Sequence, residues 1–122
     1  MINKAISIRP FIGAKDYELS KQFYRHLGFR EKVLSPDMCL FQSNHIAFYL
    51  QKYYRKDWID NSMIFVEVAD VEQYWDYLTG LELATKFAGV KLTPIKSDDW
   101  GRECFLHDPS GILWHFGQFT EG

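Results

Sequence analysis

The chain has 122 residues, close to the commonest size of a single domain, so one compact unit is expected and a second domain would be too small to hold its own core. With 47% hydrophobic and 25% charged residues and a formal charge of −2, it has a globular composition and no basic footprint for nucleic acid. No apolar run approaches the roughly 18 residues of a membrane span and the first residues lack a signal-peptide pattern, which predicts a cytoplasmic protein without nucleic acid or membrane as partner.

Aromatic residues reach 17%, enough to fill a core and still line a cavity or a subunit interface. The first element, "AISIRPFIG" (residues 5–13), reads as a strand from its β-branched and aromatic content. Alternation turns Ile8, Pro10 and Ile12 toward a helix and leaves Arg9 and Phe11 on the opposite side. Asp16 then caps a helix whose apolar face is Leu19, Phe23 and Leu27 and which stops at Gly28. "FREKVL" (29–34) supplies a strand, and "CLFQ" and "HIAFYLQ" form a hairpin about Ser43 and Asn44 that sets Phe48 opposite Cys39. The connection 52–61 carries Trp58 beside Asp57.

"SMIFVEVA" (62–69) opens a second round, with Ile64, Val66 and Val68 suited to packing beneath a helix and Met63, Phe65 and Glu67 on the other face. Asp70, with Gln73 at the capping-box position, starts a helix through Val71, Tyr74, Trp75 and Leu78 to Gly80. Glu82 to Gly89 is expected to be irregular or a helical extension, "VKLTPI" (90–95) a strand, and Trp100 a connection residue beside Asp99. The last hairpin joins "CFLH" to "ILWHFGQ" through Asp108-Pro109-Ser110-Gly111. A four-residue loop puts Cys104 opposite His115 and His107 opposite Ile112, so the two histidines fall on opposite faces and cannot share an ion; a bulge at Gly111 would shift that register. Cys39 and Cys104, inside apolar runs, are expected to be buried reduced thiols.

The order β-α-β-β-β is thus written twice, in modules of about 1–55 and 62–119 within a single domain spanning 1–122. One such unit has a one-sided sheet and cannot bury its own face, so the two must pack together. The expectation is an α+β protein, a curved eight-stranded mixed sheet around a cleft with helices outside. A carboxylate facing an apolar cleft requires a partner or a raised pKa, so Glu67 has two destinations: an ion pair with Arg9, or a role toward a ligand as cation anchor or general base. Trp58 and Trp100 suit the walls of a ligand groove or a dimer contact. No nucleophile elbow, phosphate loop or thiol pair is present.

"AKDYELSKQFYRHLGF", "VEVADVEQYW" and "HDPSGILWHF", set in that double plan, resemble the vicinal oxygen chelate superfamily, which includes glyoxalase I, extradiol dioxygenases and bleomycin-resistance proteins. The resemblance covers nearly the whole chain and implies the fold more firmly than an activity. Metal-dependent members carry His or Glu at four cleft-facing points, which here fall on Arg9, Phe48, Met63 and His115. One possible ligand in four implies no metal and no other cofactor, and it directs the resemblance to the drug-sequestering members, which work as intertwined homodimers. The function so implied is metal-independent binding of a small apolar or cationic aromatic molecule, stacked on Phe48, Trp58 and Trp100 beside Met63 and Phe65 and fixed by Glu67, Arg9 and His115. The alternatives are a lyase or dioxygenase with an altered metal site that includes His115 and Glu67, and a dimeric scaffold whose cleft is filled by its own aromatics.

Overall fold

The two rounds of strand and helix fold into two four-stranded sheets in the computed structural model, which describes residues 4–120. The first round is β1 (Phe11–Gly13), α1 (Tyr17–Leu27), β2 (Arg30–Ser35), β3 (Met38–Ser43) and β4 (Ile46–Gln51). A short α2 (Lys56–Asp60) leads to β5 (Met63–Glu67), α3 (Val71–Gly80), α4 (Leu83–Lys86), β6 (Lys91–Asp98), β7 (Gly101–His107) and β8 (Leu113–Phe119). The sheet orders are β1-β4-β3-β2 and β5-β8-β7-β6. In each sheet the first strand of the module runs parallel to the last and the other pairs are antiparallel, so the expected eight-stranded βαβββ pair is present as two mixed sheets.

Local chemistry explains the helices. The Asp16 carboxylate accepts the Leu19 N–H at 3.1 Å, and Gly28 takes the left-handed conformation (φ 119°) that closes α1. Asp70 accepts the N–H groups of Glu72 and Gln73, each at 3.1 Å, at the start of α3. Cys39, Phe41, Phe48 and Leu50 line the helix side of the first sheet, and Cys104, Leu106, Trp114 and Phe116 that of the second. Both cysteines are buried and free, as expected from the sequence. Burial pushes the Cys104 thiol up to about 11, so it stays protonated.

One buried cluster bolts the modules together. The Tyr24 ring of α1 packs on Phe29, Phe41, Phe48 and Trp114. Its hydroxyl donates to Asp108 Oδ2 at 2.6 Å and accepts from Trp114 Nε1 at 2.9 Å. The other Asp108 oxygen accepts the N–H groups of Ser110, Gly111 and Ile112, each at 2.9 Å. Burial, with Asp108 beside it, raises Tyr24 well above the ordinary tyrosine value.

Four expectations are corrected. The strand foreseen over 5–13 is reduced to β1, and Ile8, placed toward the helix by alternation, is 94% exposed, as Ile6 is at 97%. The cause is Pro10: its carbonyl accepts the Tyr49 N–H at 2.9 Å, but it has no N–H to continue the parallel ladder. The connection before β5 contains α2, and Trp58 lies on that helix. In the first hairpin, Cys39 faces Leu50 and Phe48 faces Phe41, because the turn is Asn44-His45 rather than Ser43-Asn44. In the last hairpin the loop takes five residues, 108–112, because Asp108 wraps it with three backbone hydrogen bonds and Gly111 adopts φ 105°. Cys104 therefore faces Phe116, and His115 faces Phe105.

Candidate functional site

That one-residue shift decides which side chains share the open side of the second sheet. Cys104 and Leu106 are fully buried toward α3, so Glu103, Phe105 and His107 of β7 turn the other way. Opposite them stand Gly117, His115 and Leu113 of β8, and beyond these Glu67, Phe65 and Met63 of β5. His107 and His115 thus lie on the same face, contrary to the expectation from a four-residue loop. Met63, Phe65 and Glu67 occupy the face that alternation assigned them.

The geometry of this face is a half-exposed aromatic platform with an acidic border. Phe65, Trp100 and Phe119 are 44%, 37% and 50% exposed, and their ring centroids lie 5.4–5.9 Å apart. Gly117 makes room for them: a Cβ there would stand 2.6 Å from Phe65 Cζ and 3.2 Å from Trp100 Cη2. Glu103 is nearly buried and its Oε1 lies 2.9 Å from His115 Nδ1, which turns the other ring nitrogen of His115 away from the pair. Phe105 packs edge-on to His115 at 5.1 Å. Glu67 is exposed and forms no ion pair or side-chain hydrogen bond among the described residues. Of its two destinations, the pair with Arg9 is not made: Arg9 Nη1 donates to the Tyr49 hydroxyl at 3.2 Å, and Arg9 Nε is buried without a partner.

Next to the platform a cavity of about 880 Å³ opens between the modules. Phe29, Phe48 and Trp114 form its buried floor, and Arg9, His45, Met63, Phe65 and Glu67 stand around it. Six of the eight residues singled out from the sequence therefore gather here or on the adjoining face: Arg9, Phe48, Met63, Phe65, Glu67 and His115. Trp100 joins through its contact with Phe65. Phe48 sits on the helix side of its sheet, so it meets the cavity as floor rather than as a free stacking surface. Trp58 is held apart, packed against Tyr53 and over Gly13. Glu103, Phe105 and Phe119 escaped the sequence reading, although alternation along "GRECFLH" separates Glu103, Phe105 and His107 from Cys104 and Leu106 once the loop length is known.

The donor set does not fit a divalent metal. Arg9, Phe48, Met63 and His115 supply a cation, a phenyl ring, a thioether and one imidazole, and that imidazole is already tied to Glu103. Among the described residues no three His, Cys, Asp or Glu side chains converge to hold an ion. No helix among them is long and apolar enough to cross a membrane.

The fold has relatives. The chain superposes with a TM-score of 0.78 on a bleomycin-binding protein of bleomycin-producing Streptomyces verticillus complexed with copper(II)-bleomycin, at 23% identity over 98% of this chain and 100% of that one. It matches TnmS3, an antibiotic-binding protein of Streptomyces sp. CB03234, with a TM-score of 0.70 at 20% identity over 97% and 100%. A lactoylglutathione lyase of Agrobacterium tumefaciens also gives 0.70, at 14% identity over 95% and 96%. At such identities the likeness shows the fold alone, and binders and an enzyme share it. No curated protein matches the chain. The family model for the glyoxalase/bleomycin resistance protein/dioxygenase superfamily matches residues 7–116, and the chain belongs to that superfamily.

Proposed function

We propose that this protein binds and sequesters a flat aromatic molecule, apolar or cationic, without chemical change and without a metal, as a cytoplasmic homodimer. The observation that carries this reading is the platform of Phe65, Trp100 and Phe119 beside the unpaired carboxylate of Glu67. A planar ligand laid on the rings gains stacking on the order of 0.5–1.5 kcal/mol per ring beyond burial of its own surface. A cationic group on the same ligand meets Glu67, and it is drawn further by the faces of the aromatic rings. The names of several fold relatives, bleomycin-binding and antibiotic-binding proteins, support an antibiotic as the ligand.

A second copy fits the charge pattern. Arg9, Arg30 and Lys32 turn to the open side of the first sheet, whereas Glu67 and Glu103 border the open side of the second. Two chains related by a two-fold axis would set the basic face of one against the Glu67 and Glu103 end of the other's second sheet, with a groove between them. The open cavity speaks against a scaffold filled by its own aromatics.

Tryptophan quenching and native mass spectrometry against a panel of planar cationic antibiotics and dyes test the reading, with metals assayed in parallel. Saturable binding of one ligand per chain at micromolar concentration is expected. No binding at high micromolar ligand overturns it, as does stoichiometric metal in protein purified without chelators that is lost in His115→Ala.

A further inference from the structure

The second sheet is charged at both ends of its open face, and the end away from Glu67 has the opposite character. His107 of β7 stands between Leu113 of β8 and Lys91 of β6. Leu106, its neighbour in sequence, is fully buried on the helix side, so His107 and Lys91 are side by side on the open face. His107 Nδ1 is buried and has no hydrogen-bond partner. Lys91 forms no ion pair among the described residues. Asp108 is adjacent in sequence but does not neutralise them, since its carboxylate is turned into the core and held by Tyr24 and three backbone N–H groups. The nearest carboxylate along β7 is Glu103, which is engaged by His115.

We infer that His107 and Lys91 form a receptor for a carboxylate-like group, so that the preferred ligand is an elongated aromatic zwitterion lying across the sheet with its cation at Glu67 and its anion at His107 and Lys91. The inference rests on the binding reading above and names the ligand class it takes.

The His107 ring turns Nδ1 inward, so the nitrogen left toward the open face is Nε2, beside the free ammonium of Lys91, and one carboxylate can accept from both. Burial first, then the charge of Lys91 and the nearness of His115, hold the His107 pKa down and favour the neutral imidazole. An anion reverses the electrostatic part of that balance and draws a proton onto the ring.

The spacing sets the length of the ligand. From the Glu103 level to the His107 level is four residues along a strand, about 13 Å at ~3.3 Å per residue. From β5 to β7 is two strand gaps, about 10 Å at ~4.8 Å each, so on the diagonal Glu67 lies about 16 Å from His107, and about 20 Å from Lys91 one strand further on. Between these ends the face carries the rings of Phe65, His115 and Phe105 in a single cross-strand row. The two charges must therefore be separated by two linked or fused rings rather than one.

Three matched probes test this by tryptophan quenching and calorimetry. One is a biphenyl with an aminomethyl group at one end and a carboxylate at the other; the others lack the carboxylate or lack the amine. The zwitterion should bind about tenfold more tightly than the amine-only probe, an increment of the size of one charge-assisted contact. Lys91→Ala, a change at an exposed position that leaves folding intact, should erase the advantage without moving the amine-only affinity. The imidazole resonances of His107 should titrate at higher pH with the zwitterion bound than with the amine-only probe. Equal affinity of the two probes, or an advantage that survives in both Lys91→Ala and His107→Gln, overturns the zwitterion while leaving the binding reading in place. Failure of all three probes and of the antibiotic panel overturns both.

Discussion

The two sheets use the same position for opposite ends. Phe11 in β1 neighbours Tyr49 in β4, and Phe65 in β5 neighbours His115 in β8, by the same parallel pairing. In the first sheet the rings stack at 4.6 Å with 21° between their planes, and Arg9 closes the group through the Tyr49 hydroxyl. In the second, Phe65 leans away from His115, at 6.3 Å, across the bare surface of Gly117 toward Trp100 and Phe119. The first pair is tied by Arg9 through a hydroxyl although Phe11 stays half-exposed, whereas the rings of the second have only one another. Gly117 stands where the first sheet has Gln51, and Phe65 and Trp100 occupy the space that side chain would take, with the backbone plan unchanged.

The comparison breaks most completely if the modules are uncoupled. Asp108→Ala leaves the Tyr24 hydroxyl, the buried Ile112 N–H and the half-buried Ser110 N–H without their acceptor, and it should lower stability by about 3 kcal/mol, read as the midpoint shift in urea unfolding. Tyr24→Phe removes one of those bonds and should cost about 1–2 kcal/mol. Both should shift one shared transition, since Tyr24 belongs to the first module and Asp108 to the second. A separate transition for each half would show that the bolt does not couple them.

The platform itself is tested at Gly117. An added methyl collides with the outer atoms of Phe65 and Trp100, which are free to swing toward solvent, so Gly117→Ala should dismantle the ring arrangement at small cost in stability. Affinity for a planar ligand should fall by about tenfold or more, the loss expected when one or two stacking contacts are removed. The counterpart on the first sheet, Phe11→Ala, should leave affinity unchanged. Equal losses from the two variants would mean that the faces are not specialised.

Charge selectivity is a finer test. Glu67→Gln should weaken cationic ligands several-fold, with the difference shrinking as salt rises, because exposed charges are screened within ~8–10 Å at physiological ionic strength. Neutral planar ligands should be unaffected. A loss shared by neutral and cationic ligands would assign Glu67 a structural role.

How much of this was legible in the chain follows from which rule governed each residue. Both helices could be read because caps and four-residue spacing act locally: Asp16, Gly28 and Asp70 do in the fold what their chemistry requires. Met63, Phe65 and Glu67 fell on the right face because their alternation is unbroken through β5. The faces of the last hairpin were misread because they depend on loop length, and that is set by the Asp108 side chain reaching three backbone groups, a tertiary event. With the register misread, Glu103 and Phe105 stayed hidden and His107 was parted from His115. Trp58 does not wall the cavity for a similar reason, since α2 carries it onto Gly13.

The smallest effect concerns His107 and sharpens the contrast between the ends of the open face. Its pKa in the folded chain is pulled below the ordinary value of 6.5, chiefly by burial and further by Lys91 and His115. Between the lowered value and the ordinary one, the unfolded chain binds more protons at this residue than the folded chain does, so stability rises with pH across that window. His107 thus stabilises the neutral folded form above the ordinary histidine range, and that contribution is lost as pH falls through the lowered pKa. Urea midpoints taken from neutral to mildly acidic pH should therefore decline more steeply in the wild type than in His107→Gln. A carboxylate probe bound at Lys91 should flatten the decline in the wild type, because it raises the His107 pKa toward its unfolded value, and the amine-only probe should not. If the wild type and His107→Gln decline in parallel, the imidazole is not held neutral by its surroundings and the cationic end of the face has one charge more than described.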